Sequence, residues 1–415
     1  MKEPDVALDP NDPDRVLVCA VSREKRRASA FTWASLDGGA SWISGRLEPV
    51  ERGHDIASDP SIAYGPDCRV YFGHLDFGDA RRARNLADGF WLPTGGLGVQ
   101  RSADCGRTFS PSLVTRNPSA RRQADKDWLA VDANPASPFR GSVYVFWSFI
   151  GSLVDKSDTA TDVQFARSRD GGRTFSPPRQ LSSGGYVVQA VVRPNGTLDA
   201  IWEERRWYSR KIWHVSSADG GETFSEPRLV VAVAETDTLD WPVLAALGDD
   251  ALVAGWCERA RDPGHRYESR ISYSVFRNSA WSAAQPLEPG LPPGTWISIP
   301  ALASTNSAAW LLAYRVDAHT TRVVLYRMTP DTLRFEAAET LAIRHFGVDQ
   351  FCPGWLDCFP EEPKQTPAIP EQFSPGDYVG LRGAKRRVVA AYILPLDDDR
   401  RVSRLPTLYV TIVDE

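Results

Sequence analysis

The sequence predicts an all-β fold in which one small antiparallel sheet is repeated many times. Three observations carry this. Short apolar and aromatic runs of strand length alternate with turn residues along all 415 residues, and no stretch sustains a 3.6-residue period. Gly and Pro stand at 31 each, as many short strands joined by turns require. One turn sequence also recurs. Ser168–Phe175 reads Ser-Arg-Asp-Gly-Gly-Arg-Thr-Phe, and Ser35–Trp42, Ser102–Phe109 and Ser217–Phe224 repeat its frame, Ser-x-Asp-x-Gly-x-(Thr/Ser)-aromatic. Recurrence argues for one large array, residues 1–415, rather than the two or three domains this length would otherwise allow.

The repeated stretch has the chemistry of a turn. Its Asp carboxylate accepts backbone N–H bonds across the bend, Gly supplies positive φ, and the aromatic ring packs beneath. The pattern resembles the Asp-box, or bacterial neuraminidase repeat, of the sialidase-like β-propellers. Two further stretches resemble the wider exo-sialidase-like group: Asp125-Lys-Asp-Trp-Leu-Ala-Val-Asp, and Gly376-Asp-Tyr-Val-Gly-Leu. The resemblance spans nearly the whole chain. It implies a propeller whose boxes are structural staples, so Asp37, Asp104, Asp170 and Asp219 are read as turn residues.

Each blade should open with an apolar strand, a turn and an aromatic-rich second strand. Seven such pairs are visible: Pro4–Leu8 with Arg15–Val21, Asp55–Tyr64 with Arg69–His74, Asp127–Asp132 with Ser142–Ser148, Tyr186–Val192 with Leu198–Glu203, Trp241–Leu247 with Ala251–Glu258, Trp296–Ala303 with Ala309–Val316, and Tyr378–Arg382 with Arg387–Leu394. Seven blades of four-stranded antiparallel sheets are therefore expected. Six, the number in sialidases, is the alternative; the last pair is the suspect one, because only Leu405–Val413 follows it. Long insertions stand at 75–97 and 347–375. Both leave the rim opposite the boxes and read as walls or lids of a site.

Cys68 falls in a predicted first-to-second-strand turn and Cys105 in the second box. A propeller puts both turns on one side, so a Cys68–Cys105 disulfide is expected. Cys352 and Cys358 flank a short loop and could close it. Cys19 and Cys257 lie in apolar strands and read as buried thiols. Six reduced cysteines would fit a cytosolic protein instead. The first ten residues lack the apolar stretch of a leader and already read as a strand. The resemblance implies export, with the leader absent from this sequence, and a cytoplasmic location is the alternative. A net charge of −5 gives no reason to expect nucleic acid or an anionic membrane as partner, and no apolar run approaches a membrane span. Nucleotide and flavin fingerprints, zinc spacings and Ca²⁺ loops are absent, so no cofactor or metal is expected. A monomer acting on a glycan or small molecule is expected.

Chemistry should gather on the rim where inner strands start and second strands end. That rim holds carboxylates, arginines and aromatics, a set suited to sugars: guanidinium forks pair with carboxylates, indoles stack on pyranose faces, and acids transfer protons. The sialidase resemblance implies an arginine clamp, a Tyr nucleophile activated by Glu, and an Asp acid. By topology, Arg205, Arg259 and Arg315 would form the clamp, Tyr378 the nucleophile, Glu203 or Glu258 its base, and Asp55 or Asp127 the acid. Arg23, Lys126, Trp128 and Trp241 would line the substrate. Rim arginines can equally serve ordinary surface ion pairs, and the Trp residues inter-blade packing. The Phe/Tyr-Arg-Ile-Pro motif of sialidases is absent; the first inner strand reads Pro4-Asp-Val-Ala. Four functions follow: a sialidase-like exported glycoside hydrolase on an anionic or decorated glycan, a polysaccharide lyase using Tyr378, His54 or His74 as base, a non-catalytic carbohydrate- or protein-binding propeller, or an unrelated small-molecule enzyme on the same scaffold.

Overall fold

The structure is a computed structural model. It describes all residues except 1, 25–26, 57–58, 79–94, 120–121, 152–160, 205–208, 235–236, 262–266, 349–350, 352–372 and 397–405, and leaves out the side chains of 23–24, 27–28, 55–56, 77, 260–261 and 267–268 as well. Its described residues form seven antiparallel sheets and no helix. Blade 1 holds β1 (Lys2–Leu8), β2 (Val16–Glu24), β3 (Arg27–Ser35) and β4 (Ile43–Arg46). Blade 2 has β5 (Asp55–Ile56), β6 (Ser61–Tyr64), β7 (Val70–Phe77), β8 (Gly95–Ser102) and β9 (Ser110–Arg116). Blade 3 has β10 (Gln123–Val131), β11 (Val143–Ile150), β12 (Thr161–Ser168) and β13 (Arg179–Ser183). Blade 4 has β14 (Tyr186–Val192), β15 (Leu198–Glu203), β16 (Lys211–Ser217) and β17 (Arg228–Ala232). Blade 5 runs from β18 (Asp237–Leu247), β19 (Ala251–Arg261) and β20 (Tyr267–Arg277) to a split outer strand, β21 (Ala280–Trp281) and β22 (Gln285–Pro286). Blade 6 has β23 (Trp296–Ser304), β24 (Ala309–Val316), β25 (Thr321–Met328) and β26 (Phe335–Arg344). Blade 7 has β27 (Gly380–Ala384), β28 (Arg387–Pro395) and β29 (Pro406–Asp414).

Inner strands meet in cyclic order, β1 to β6, β10, β14, β18, β23 and β27, and β27 returns to β1. The ring is thus a seven-bladed β-propeller. All seven predicted strand pairs are present, including the suspect last one. One difference is that blade 7 shows three strands among the described residues, not four. Among the described residues, no strand from one end of the chain joins the sheet of the other. The ring is instead sealed between blades 7 and 1 by packing. Val6, Val16 and Val18 meet Val389, Ala391 and Ile412, and Arg387 reaches Asp14 and Asp414. Apolar side chains between neighbouring sheets supply the core. Trp147, Trp202 and Trp256, on the second strands of blades 3 to 5, are fully buried, each contributing about 2–3 kcal/mol by area.

The four boxes fold alike. In blade 3 the Ser168 hydroxyl donates to Asp170 at 2.7 Å and accepts from Gly172 N at 2.8 Å, while Thr174 donates to Asp170 through N at 3.0 Å and Oγ1 at 2.6 Å. Asp37, Asp104 and Asp219 repeat this network. Burial works against ionisation of Asp219, but the bonds from Thr223 and Ser217 hold its carboxyl down at about 2. These acids are spent on their own turns. Asp170→Ala is expected to lower the melting temperature by about 2–4 °C and leave activity unchanged; loss of activity in the folded variant would refute a purely structural role.

Blade 2 carries the expected Cys68–Cys105 disulfide, with Cα atoms 4.8 Å apart. Cys19 and Cys257 are free and buried. Cys352 and Cys358 lie outside the described residues.

Candidate active site

The site begins with a backbone feature. Six inner segments carry a left-handed residue at one level: Glu3 (φ 52°), Asp59 (54°), Lys126 (52°), Val187 (45°), Trp241 (56°) and Ile299 (56°). In blades 1, 3, 4, 5 and 6 it sits at a break in strand register. Such a bulge inserts one unpaired residue and re-aims its side chain. None of the six is glycine, so each conformation costs about 1–2 kcal/mol that the surrounding structure must offset.

What the bulges achieve is convergence. The Lys126 ammonium, on blade 3, lies 2.7 Å from Asp59 of blade 2 and 2.7 Å from Asp377 of blade 7. It also sits 5.2 Å from the Trp241 ring centroid of blade 5 and 5.9 Å from that of Tyr378. Four blades therefore meet at one cation. Asp125, beside it, accepts from the Tyr186 hydroxyl at 2.7 Å. Asp5 of blade 1 accepts from Val6 N at 2.8 Å and Ile62 N at 2.9 Å, and pairs with Arg382 of blade 7 at 3.3 Å. The Arg382 guanidinium lies 5.0 Å from the Trp128 ring centroid, and Trp128 Nε1 donates to Ala190 O at 2.8 Å.

Asp127 differs from all of these. It is 5% exposed, and neither carboxyl oxygen has a hydrogen-bond partner from another residue among the described residues. Burial, then the negative charge of Asp59, pushes its pKa well above the ordinary carboxylate value; Lys126 only partly opposes this. The carboxyl occupies a niche left by Gly73, where a methyl group would come within 2.5 Å of Oδ2. Tyr378 is likewise raised well above its ordinary value, first by burial and then by Asp59, Glu3, Asp127 and Asp5. Its hydroxyl donates a long bond of 3.4 Å to Pro60 O.

Of the residues expected from sequence, Asp127, Lys126, Trp128, Trp241 and Tyr378 come together. Arg259 pairs at 2.9 Å with Asp240 of its own blade. Arg315 is held by Glu288 at 3.1 Å, and Glu288 also accepts from Tyr326 at 2.6 Å, which ties that arginine to the seam between blades 5 and 6. Glu203 is buried at the end of β15, and Glu258 accepts from Trp256 Nε1 at 3.0 Å. Arg205 lies outside the described residues, as do the side chains of Asp55 and Arg23. His74 is fully buried, which pushes its pKa down to about 4. His54 stands 3.5 Å from Glu51 and 3.4 Å from Asp76.

Sequence reasoning missed Glu3, Asp5, Asp59 and Arg382, and gave Asp377 no role. A signal existed. Glu3-Pro4, Asp59-Pro60, Trp241-Pro242 and Ile299-Pro300 place a proline directly after the left-handed residue in four blades. Aligning those pairs would have put Glu3, Asp59 and Trp241 on one ring.

This chain is a seven-bladed β-propeller with a charged central mouth. No family model matches its sequence, and no curated protein matches it. Solved structures similar to it include a polysaccharide lyase described as an ulvan lyase, 10% identical, covering 100% of this chain and 94% of that one with a TM-score of 0.52. The same lyase bound to a GlcA(1-4)Rha3S unit gives 0.53 over the same coverage, also at 10% identity. A Hadza microbial sialidase is 13% identical over 89% of this chain and 71% of its own, with a TM-score of 0.48. At these identities the likeness is one of fold.

Proposed function

We propose that this propeller is an exported glycoside hydrolase that protonates a glycosidic oxygen with Asp127. The observation that carries the proposal is the contrast between two neighbouring carboxyls. Asp127 is buried, has no hydrogen-bond partner from another residue among the described residues and is pushed by burial toward its acid form, whereas Asp59 shares the Lys126 ammonium with Asp377. Neighbouring acids in unlike environments are how one site supplies both a proton donor and a carboxylate. Asp127 would give its proton to the leaving oxygen. Asp59 or Asp377, steadied by Lys126, would take a proton from water or attack the anomeric carbon. Trp241 would offer an indole face to the sugar. The mouth favours a neutral sugar: Lys126 and Arg382 are already bound to carboxylates, and Glu3, Asp5, Asp59, Asp125 and Asp377 surround them.

Tyr378 supports a carboxylate mechanism over a tyrosinate one, because burial and surrounding acids disfavour its ionised form. A lyase base or a sialidase-type nucleophile would need the reverse. The disulfide fits an oxidising compartment, in keeping with export. The test is a screen against neutral and uronate-containing polysaccharides and aryl glycosides. Reducing ends released from a neutral glycan are expected. Products with a new ultraviolet-absorbing double bond would mean elimination instead, and binding without turnover would mean a lectin-like role.

A further inference from the structure

We propose that the seam between blades 2 and 3, on the face that carries the boxes, is a binding site for one oxyanion, sulfate or phosphate, free or as an ester. The argument is an internal comparison between two adjacent seams. On blade 3, Arg167 pairs across the ladder with Tyr144, directly before the box serine Ser168. Its Cδ lies 3.7 Å from where a methyl on Gly221 would sit, in the box of the next blade. There Arg167 donates to Gly220 O at 2.7 Å and forms an ion pair with Glu222, which also binds Arg169 at 2.6 Å.

Blade 2 repeats the arrangement one step back. Arg101 pairs with Tyr71, directly before the box serine Ser102, and its Cδ lies 3.8 Å from the corresponding point on Gly172. The residue equivalent to Glu222, however, is Arg173. The box thus carries an arginine, whose Nη1 donates to Asp170 O at 3.0 Å, at the position where the neighbouring seam has a carboxylate. Arg101 Nε is buried and has no hydrogen-bond partner among the described residues. The Tyr71 hydroxyl beside it is also buried and without a hydrogen-bond partner among the described residues. Arg69, Arg101 and Arg173 all act electrostatically on that hydroxyl, and Asp170 is engaged within its own turn. Arg69 also pairs with Asp67 at 3.2 Å, so the two unpaired donors are Arg101 Nε and the Tyr71 hydroxyl; standing where the sister seam puts carboxylate oxygens, they mark an anion's position.

The site is separate from the mouth, so it stands or falls independently of glycosidase activity. The test is thermal unfolding and calorimetric titration of the full chain with sodium sulfate and sodium phosphate, at constant ionic strength set by chloride. Wild type should show a saturable rise in melting temperature. Arg101→Gln should weaken binding at least about tenfold. Arg173→Glu should remove the response and raise the melting temperature without added anion, because it restores the pair seen at Arg167. An equal response in wild type and both variants would overturn the proposal, as would Arg173→Glu that neither stabilises nor blunts it. A sulfated oligosaccharide, compared with its desulfated form, identifies the source: an Arg101-dependent preference for the sulfated sugar points to an ester, and binding of the inorganic ions alone points to a free anion.

Discussion

Asp127→Asn should lower kcat on a neutral glycan by about 10²–10⁴, the usual worth of a positioned general acid, while the chain stays folded. Asparagine keeps the shape that fits the Gly73 niche but has no proton to give. Aryl substrates with good leaving groups should be affected least, because they need little protonation. The variant also has a stability signature. The folded form of Asp127 holds its proton well above the ordinary carboxylate value. Its contribution is therefore complete below about pH 4 and is lost as pH rises through the folded value. Wild type should lose stability relative to Asp127→Asn across that window, with a slope of at most about 1.4 kcal/mol per pH unit. Denaturant midpoints at a series of pH values measure this. A flat difference would mean that Asp127 is ionised when folded, and the proton-donor role would fail with it.

The second large effect concerns blade 2. Breaking Cys68–Cys105, which are separated by 37 residues, should cost about 4 kcal/mol in the chain-entropy account. Cys105→Ser and Cys105→Gly should not be equal, however. Cys105 has φ 63° at the position where the other boxes have Gly38 at 69°, Gly171 at 71° and Gly220 at 68°. Only this box asks a side chain to accept the left-handed turn. Cys105→Gly should therefore recover about 1 kcal/mol relative to Cys105→Ser. Urea midpoints without reductant would show it. If oxidised and reduced wild type unfolded at the same midpoint, the bridge would have no stabilising role.

The architecture was legible because each blade announces itself locally. The strand pairs follow from apolar runs broken by turn residues, and the boxes from side-chain-to-backbone bonds spanning four residues. Even the Cys68–Cys105 bridge followed from placing two turns on one side. The site was less legible, for two physical reasons. A bulge breaks the two-residue alternation from which side-chain direction is read, so Glu3 looked like the lead-in to a strand and Asp59 like an interior residue of the single strand Asp55–Tyr64, which is in fact two strands, Asp55–Ile56 and Ser61–Tyr64. Rim arginines also find partners in connecting segments that sequence cannot position: Glu288, which engages Arg315, lies just beyond the split outer strand of blade 5. Lys126, Asp127 and Tyr378 were visible because they belong to stretches that stand out as motifs.

The seal between the last blade and the first has a bearing on chemistry. Among the described residues, blades 7 and 1 meet through side-chain packing and ion pairs, with no shared strand. Glu3 and Asp5 stand on one bank of that packed joint, and Asp377, Tyr378 and Arg382 on the other. Any loosening there, by truncation, heat or force on the chain ends, would pull the proposed catalytic groups apart before most of the ring had melted. Enzymatic competence should accordingly disappear at a lower temperature than the bulk β-sheet signal.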